Sequence, residues 1–294
     1  MSNPFEVKNA QTNTIVQGIT GVQGSFQTKA MLAAGTHIIA GTTPGKAGLV
    51  VEGVPVYNSI KDIQKTQHID STVIFVPAPY AKGAILEAIT AGIPLIVCIT
   101  EGVPVHDMLI VKKALKASTS TLLGPNSPGA LLPGINKLGI IPASMSLEGN
   151  TAIVSRSGTL TYETMAGLSS KGISLKYVIG IGGDVIHGMG YKECLQLFED
   201  DPEVDQIILI GEIGGQDEID AAEFIKKHVT KPVFAYIAGH HAPVGIQLGH
   251  AGAIMGDASE SAANKTKILA AVGVITARSI AELLTRVATA QHPK

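Results

Sequence analysis

Short runs of apolar and β-branched residues recur along the chain, separated by longer stretches of helical periodicity. The runs are "TIVQG", "HIIAG", "TVIFVPAP" and "PLIVCITEG", then, after a gap, "TAIVS", "KYVIGIGG", "QIILIGEIGG", "PVFAYIAG" and "GVITA". Such runs, continuous rather than alternating, mark strands buried on both faces, and helical segments between them mark crossovers, so the pattern predicts parallel sheets in an α/β protein. The gap, "GPNSPGALLPGINKLGIIPAS" at residues 124–144, carries too much proline and glycine for a helix and is long enough to cross between domains. Two doubly wound domains are therefore expected, over 1–125 and 146–294, with a linker over 126–145. Several strands end in glycine, threonine or glutamate, and open α/β sheets bind ligands at that carboxyl edge.

A chain of 294 residues suits two domains. Its 45% hydrophobic against 16% charged residues leave apolar surface for a partner to cover, so an oligomer is expected. Lys plus Arg number 22 against 24 Asp plus Glu, a balance that favours neither nucleic acid nor an anionic membrane, and any anion must be bound locally. Cys98 and Cys194 have no CxxC spacing, which argues for a reducing compartment without structural disulfides or zinc. The stretch "MSNPFEVKNA" lacks an apolar signal core and an Arg-rich presequence, and no apolar run reaches the roughly 20 residues of a membrane span; a cytoplasmic protein is expected.

Candidate chemistry begins at "VQGITGVQGS", where Gly18, Gly21 and Gly24 follow the first strand and let backbone N–H groups approach a phosphate at a helix's positive end. Tight strand-to-helix packing asks for the same glycines, so the turn alone leaves both readings open. An NAD site would place an acid after the second strand; here "GTTPGKAG" offers Lys46, which fits a phosphorylated ribose of NADP or coenzyme A, or is a solvated loop lysine. After the fourth strand "CITEGVP" brings Ile99, Thr100 and Glu101 to the same edge; Glu101 could accept from an adenine amine or an amide, or cap a helix.

In the second half "TAIVSRSGTLTYE" turns from a buried strand through Ser155, Ser157, Gly158 and Thr159 into a helix, an anion site for a single phosphoryl group or an ordinary serine cap. "IILIGEIGG" ends in Glu212, an acid that could hold one ring nitrogen of a histidine and leave the other as nucleophile, and "LGHAGA" supplies His250. From the residues alone His250 is equally a core histidine or a general base. His240, His241 and His250 match no compact metal motif, and "SRSGT" lacks the first glycine of a hydrolase elbow, so metal and serine hydrolysis rank behind phosphoryl transfer.

Taken together and in order, "GITGVQG", "TTPGK", "ITEGVP", "GPNSPG", "SRSGTLTYE", "GIGGD", "GEIGG" and "GHAGA" closely resemble the α subunits of the succinyl-CoA synthetase (succinate–CoA ligase) family over nearly the whole chain. The resemblance implies an N-terminal Rossmann-like CoA-binding domain followed by a flavodoxin-like domain. It also implies a β subunit of ATP-grasp type, in an αβ or α2β2 assembly, that holds ATP or GTP and Mg2+. The family converts succinate, CoA and a nucleoside triphosphate reversibly into succinyl-CoA, nucleoside diphosphate and phosphate through a phosphohistidine. Carried over motif by motif, Thr20, Gly21, Val22 and Gln23 line the CoA phosphates, Lys46 meets a CoA phosphate, and Ile99, Thr100 and Glu101 contact CoA. Tyr162 stands beside the substrate, His250 is the phosphorylated histidine and Glu212 orients it; the expected mechanism then has the Ser155 to Thr159 helix mouth hold the phosphohistidine while succinate takes the phosphoryl group.

Departures cluster near the histidine. Basic residues usual before it are replaced in "APVGIQLGHAGA", and "MGDASES" adds Asp257 and Glu260 where a "GGKG" turn is typical. Ser127 stands where cysteine is common, and Val185 and His187 where prolines are. These changes keep two alternatives in view: a ligase for a related dicarboxylate such as malate, and a CoA-binding regulatory paralogue without turnover. An NADP-dependent oxidoreductase is a distant third.

Overall fold

The computed structural model describes residues 4, 5, 12–243, 245, 247 and 249–291. Most of the amino-terminal stretch read for targeting signals lies outside the described residues, as do Val244, Ile246 and Leu248 of the segment before His250. The chain divides into two packed units: Met1–Gly129 with Gly134–Ile141 and Ile186–Gly188, and Ala130–Pro133 with Pro142–Val185 and Met189–Lys294.

The first unit runs β1 (Thr14–Gln17), α1 (Val22–Ala33), β2 (Ile38–Thr42), β3 (Val50–Val51), β4 (Val54–Tyr57), α2 (Ile60–Gln64), β5 (Ser71–Ile74), α3 (Ala78–Thr90), β6 (Leu95–Cys98), α4 (Val105–Lys116) and β7 (Thr121–Leu123). Its strand order is β3-β4-β2-β1-β5-β6-β7, parallel except for the short β3–β4 hairpin. The order reverses between β1 and β5, the kind of switch point at which open α/β sheets bind ligands beyond the strands' carboxyl ends. Ile15, Ile74, Ile96 and Cys98 are fully buried beneath helix residues such as Ile85 and Val111, each large aliphatic side chain contributing about 1.5–3 kcal/mol of burial.

The segment read as a linker is not a plain loop. It holds β8 (Gly129–Leu132) and β9 (Asn136–Gly139), both buried. Their pattern is hidden in the sequence because Pro and Gly punctuate strands this short. In the first unit the Thr36 hydroxyl donates to the Lys137 carbonyl and accepts from its N–H.

The second unit continues with β10 (Glu148–Ser155), α5 (Gly158–Ser170), β11 (Leu175–Gly180), α6 (Tyr191–Asp200), β12 (Gln206–Gly211), α7 (Asp217–His228), β13 (Val233–Ile237), α8 (Ala262–Ala271), β14 (Ile275–Ala277) and α9 (Ile280–Gln291). Strands β14-β13-β12-β10-β11 lie side by side in parallel, with β10 and β12 at the centre. Ile153, Val154 and Ile207 to Ile210 have no exposed surface, so both faces of the central strands are covered. Helix α7 opens on Asp217, Glu218 and Asp220 and closes on Lys226, Lys227 and His228, charges that oppose the helix dipole at each end. The expected succession of a Rossmann-like and a flavodoxin-like α/β unit is what the architecture contains. Among the described residues no helix is long and apolar enough to cross a membrane.

Candidate active site

In the first unit the β1–α1 turn is tight. Gly18 adopts φ +80°, Gly21 N–H donates to the Gly18 carbonyl at 3.0 Å, and a Cβ on Gly24 would stand 2.2 Å from that same oxygen. Glycine is required at Gly24 for this approach. Helix α1 then begins at Val22 with Gly21 as N-cap and no side chain satisfying its first N–H groups. Val22 is 86% exposed, and Gly21 and Gln23 are exposed beside it, so the positive end of the helix faces outward.

Two neighbouring loops reach this turn. The Thr20 hydroxyl donates to Thr43 Oγ1 (3.1 Å), and the Thr43 carbonyl accepts from Lys46 N–H (3.1 Å), tying the exposed Lys46 loop to the mouth of α1. Asn58 Oδ1 accepts from Gly45 N–H at 2.9 Å and shapes that loop further. On the other side Thr100 Oγ1 donates to the Val76 carbonyl at 2.7 Å, and Val76 packs where a Cβ on Gly18 would fall. Ile99 and Thr100 are half-buried and Glu101 exposed. Ser127, at the position where cysteine is typical, accepts from Gly129 N–H at 2.8 Å within its own turn. The open helix end, a nearby lysine and a bordering carboxylate fit a ligand bearing phosphates and amides, which is the chemistry of CoA.

The second unit brings two of its predicted residues, Glu212 and His250, into direct contact. His250 Nδ1 lies 2.7 Å from Glu212 Oε2, with the histidine side chain 27% exposed and the glutamate buried. A carboxylate on Nδ1 holds the tautomer whose lone pair is on Nε2. One glycine seats the ring and two more let its loop pack closely. A Cβ on Gly183 would stand 2.3 Å from His250 Cγ, one on Gly214 2.4 Å from the Gly252 carbonyl, and one on Gly252 2.7 Å from Arg156 Nη2. Gly252 N–H donates to the Gly183 carbonyl and Ala253 N–H to that of His250, closing the loop.

Residues without a role in the sequence reading complete the arrangement. Arg156, only 3% exposed, sits beneath Glu212, with Nε 3.2 Å from Oε1 as an ion pair rather than an aligned hydrogen bond. It also donates to the Asp184 carbonyl and pairs with Asp217 at 3.4 Å. Burial works against its charge, but Glu218, Tyr191, Glu212 and Asp217 outweigh that and hold the guanidinium above its ordinary pKa. Arg156 stands inside "SRSGT", yet its burial is hidden there because arginine in a turn is usually solvated.

At the mouth of α5, Ser157 Oγ accepts from Leu160 N–H (3.3 Å), the capping role, and Ser155 Oγ donates to the Ser157 carbonyl (2.9 Å). Thr159 Oγ1 lies 3.3 Å from Ser157 Oγ, and Gly158 is the first helical residue. Tyr162, a turn further on, is half-buried, and that burial raises its phenol pKa. The two added acids turn inward on their own backbone: Asp257 accepts from Ser259 N–H at 2.7 Å and Glu260 from Gly256 N–H at 2.7 Å.

Comparison with known proteins bears on both units. Residues 9–102 match the family model of a CoA binding domain and residues 154–275 that of CoA-ligase. Among solved structures, ATP citrate lyase from Methanosaeta concilii in complex with (3S)-citryl-CoA superposes with TM-score 0.88 over 98% of this chain at 24% identity, a likeness of fold. The chain spans about half (51%) of that longer one. The fold and the two matched domains are those of a CoA ligase.

Sequence relatives narrow this. The chain is 47% identical over 277 residues to the α subunit of succinate–CoA ligase [ADP-forming] of Aquifex aeolicus, covering 94% of this chain and 91% of the relative. It is 49% identical over 284 residues to α subunit 2 of that enzyme from Archaeoglobus fulgidus, covering 96% and 99%. The chain belongs to the family of α subunits of ADP-forming succinate–CoA ligase.

Proposed function

We propose that this α subunit carries the phosphohistidine relay that activates succinate for transfer to CoA, with His250 as the phosphoryl carrier. The Nδ1 to Glu212 contact carries the reading, because it is the arrangement a nucleophilic imidazole needs. His250 Nε2 attacks the γ-phosphorus of a nucleoside triphosphate, forming a P–N bond as the P–O bond to the departing diphosphate breaks. Glu212 balances the positive charge the ring then bears. A succinate carboxylate oxygen next attacks phosphorus, the P–N electron pair returns to Nε2, and succinyl phosphate forms. The acyl carbon then gains a C–S bond to CoA while its C–O bond breaks, and the thiol proton leaves with phosphate.

In this reading residues 1–125 bind CoA, with Thr20, Gly21, Val22, Gln23 and Lys46 at its phosphates and Ile99, Thr100 and Glu101 along its length. Residues 146–294 hold the relay, where Ser155, Ser157, Gly158 and Thr159 present the positive end of α5 to the phosphoryl group and Tyr162 borders the substrate. Ser157 serves both readings, since a cap oxygen fixed on Leu160 N–H leaves the remaining N–H groups of that turn for an anion. The nucleotide and Mg2+ belong to an ATP-grasp β subunit in an αβ or α2β2 complex acting in the cytoplasm. Relatives named ADP-forming support ATP as the donor. Family membership favours turnover with succinate over a silent paralogue or a malate-specific ligase.

The test is to incubate the complex with its β subunit and γ-labelled ATP or GTP. Acid-labile, base-stable label on this chain, absent in His250→Asn and discharged by succinate plus CoA, is expected. Unchanged turnover in His250→Asn would refute the relay.

A further inference from the structure

We infer that the buried pair Glu218 and Lys265 positions Glu212, and through it His250, for phosphoryl transfer. The inference rests on the phosphohistidine reading. Glu218 lies in the first turn of α7 and Lys265 in α8, and neither side chain has any exposed surface. Lys265 Nζ donates to the Glu212 carbonyl at 2.9 Å and the Gly214 carbonyl at 2.6 Å, and forms an ion pair with Glu218 Oε2. Glu218 Oε1 accepts from Glu212 N–H at 3.1 Å. Both backbone groups of Glu212 are thus bound by one pair of side chains, from opposite ends of the residue. Tyr191 adds a third point: its hydroxyl donates to the Ile210 carbonyl at 2.8 Å and lies 3.4 Å from Glu218 Oε1.

Local need explains the placement. Glu212 follows the last residue of β12, where the ladder to β13 ends and Ile213, Gly214 and Gly215 turn away, with positive φ at both glycines. A residue leaving a sheet loses ladder partners for its N–H and C=O, and burial forbids water as a substitute. Apolar replacement of a buried ion pair costs little only where the pair serves nothing else, and this one also satisfies the Glu212 N–H and the Glu212 and Gly214 carbonyls. What charges supply is fixed direction. Glu212 has one oxygen on His250 and the other beside Arg156, so a backbone rotation that eased one contact would break the other.

The experiment compares the complete complex, this chain with its β subunit, with the same complex carrying Glu218→Leu and Lys265→Met. The double variant removes both charges at similar volume. Expected are a lowered melting temperature, because the Glu212 N–H and the Glu212 and Gly214 carbonyls lose their partners, an unchanged KM for CoA in the folded complex, and a roughly 10–100-fold slower phosphorylation of His250. A parental phosphorylation rate in a folded double variant overturns the inference. Should the double variant not fold, Lys265→Arg keeps the charge but replaces a compact ammonium serving two carbonyls with a planar fork. The same slowing with unchanged KM for CoA is then expected, and an unaltered rate overturns the inference. If the parent complex itself takes no label on a histidine, it is the phosphohistidine reading that fails.

Discussion

The carboxylate of Glu212 is shared between an imidazole and a guanidinium, and its two oxygens have different work. Oε2 holds His250 Nδ1, whereas Oε1 faces Arg156. Glu212→Gln would keep the volume but leave Arg156 facing a neutral amide and let the imidazole choose its tautomer. We expect phosphorylation of His250 to fall roughly 10–100-fold, measured by single-turnover labelling, with CoA binding intact. Gly183→Ala tests the ring's seat: a Cβ 2.3 Å from His250 Cγ forces the loop to shift, an overpacking cost of about 1–3 kcal/mol. Loss of label with a lowered melting temperature is the expected outcome, and a fully active, fully stable variant would show that the ring has room. Arg156 and Lys265 are illegible in the sequence because a cation in a turn or helix reads as solvated until the sheet it lies under is known.

At the scale of elements, α1 begins without a side-chain cap, although Ser, Asp or Asn at that position would give one of its first N–H groups a partner. Gly21→Asp supplies that cap and a charge opposing the dipole, worth about 0.5–1 kcal/mol to the helix, less the cost of bringing a Cβ to 3.3 Å from the Gly18 carbonyl oxygen. CoA affinity should fall roughly tenfold or more as the carboxylate meets phosphates. Calorimetric melting without ligand, paired with CoA titration, checks both signs; unchanged affinity would show that this helix end does not face the phosphates. The glycine turn, the lysine loop and the strand tip after β6 are each legible as residues, but their union through Thr43 and Val76 depends on strand order, which hydrophobic runs do not encode.

Across the whole molecule, the pH dependence of stability should carry the mark of one buried lysine held by neutral oxygens. Lys137 in β9 donates to the Gly139 carbonyl at 2.8 Å and Gln27 Oε1 at 3.1 Å, and burial pushes its pKa down to about 8 from 10.5. Below pH 8 it is charged in both states and the folded state bears the cost. Between about 8 and 10.5 the unfolded chain binds more protons, so this group's contribution to stability rises with pH and is complete above 10.5. Denaturant unfolding across that window should show a rise that Lys137→Met removes; identical pH slopes in both proteins would discount it. CoA at roughly a hundredfold excess over its Kd should add about 2.7 kcal/mol by linkage.

The class of fold is legible in the residues alone, because strands buried on both faces must be continuously apolar and crossovers must be helical. The residues also bring the candidates Glu212 and His250 to view, because an acid at a strand tip and a histidine among glycines are local signals. The folded chain adds that the two meet at Nδ1, that Gly183, Gly214 and Gly252 make room for the ring and its loop, and that Arg156, Glu218 and Lys265 lie buried around them. Those facts depend on which strands are neighbours and which loops leave the same edge. Glu212 and His250 stand 38 positions apart in the chain, and no local pattern reaches that far, so their meeting is settled by the packing of the folded chain.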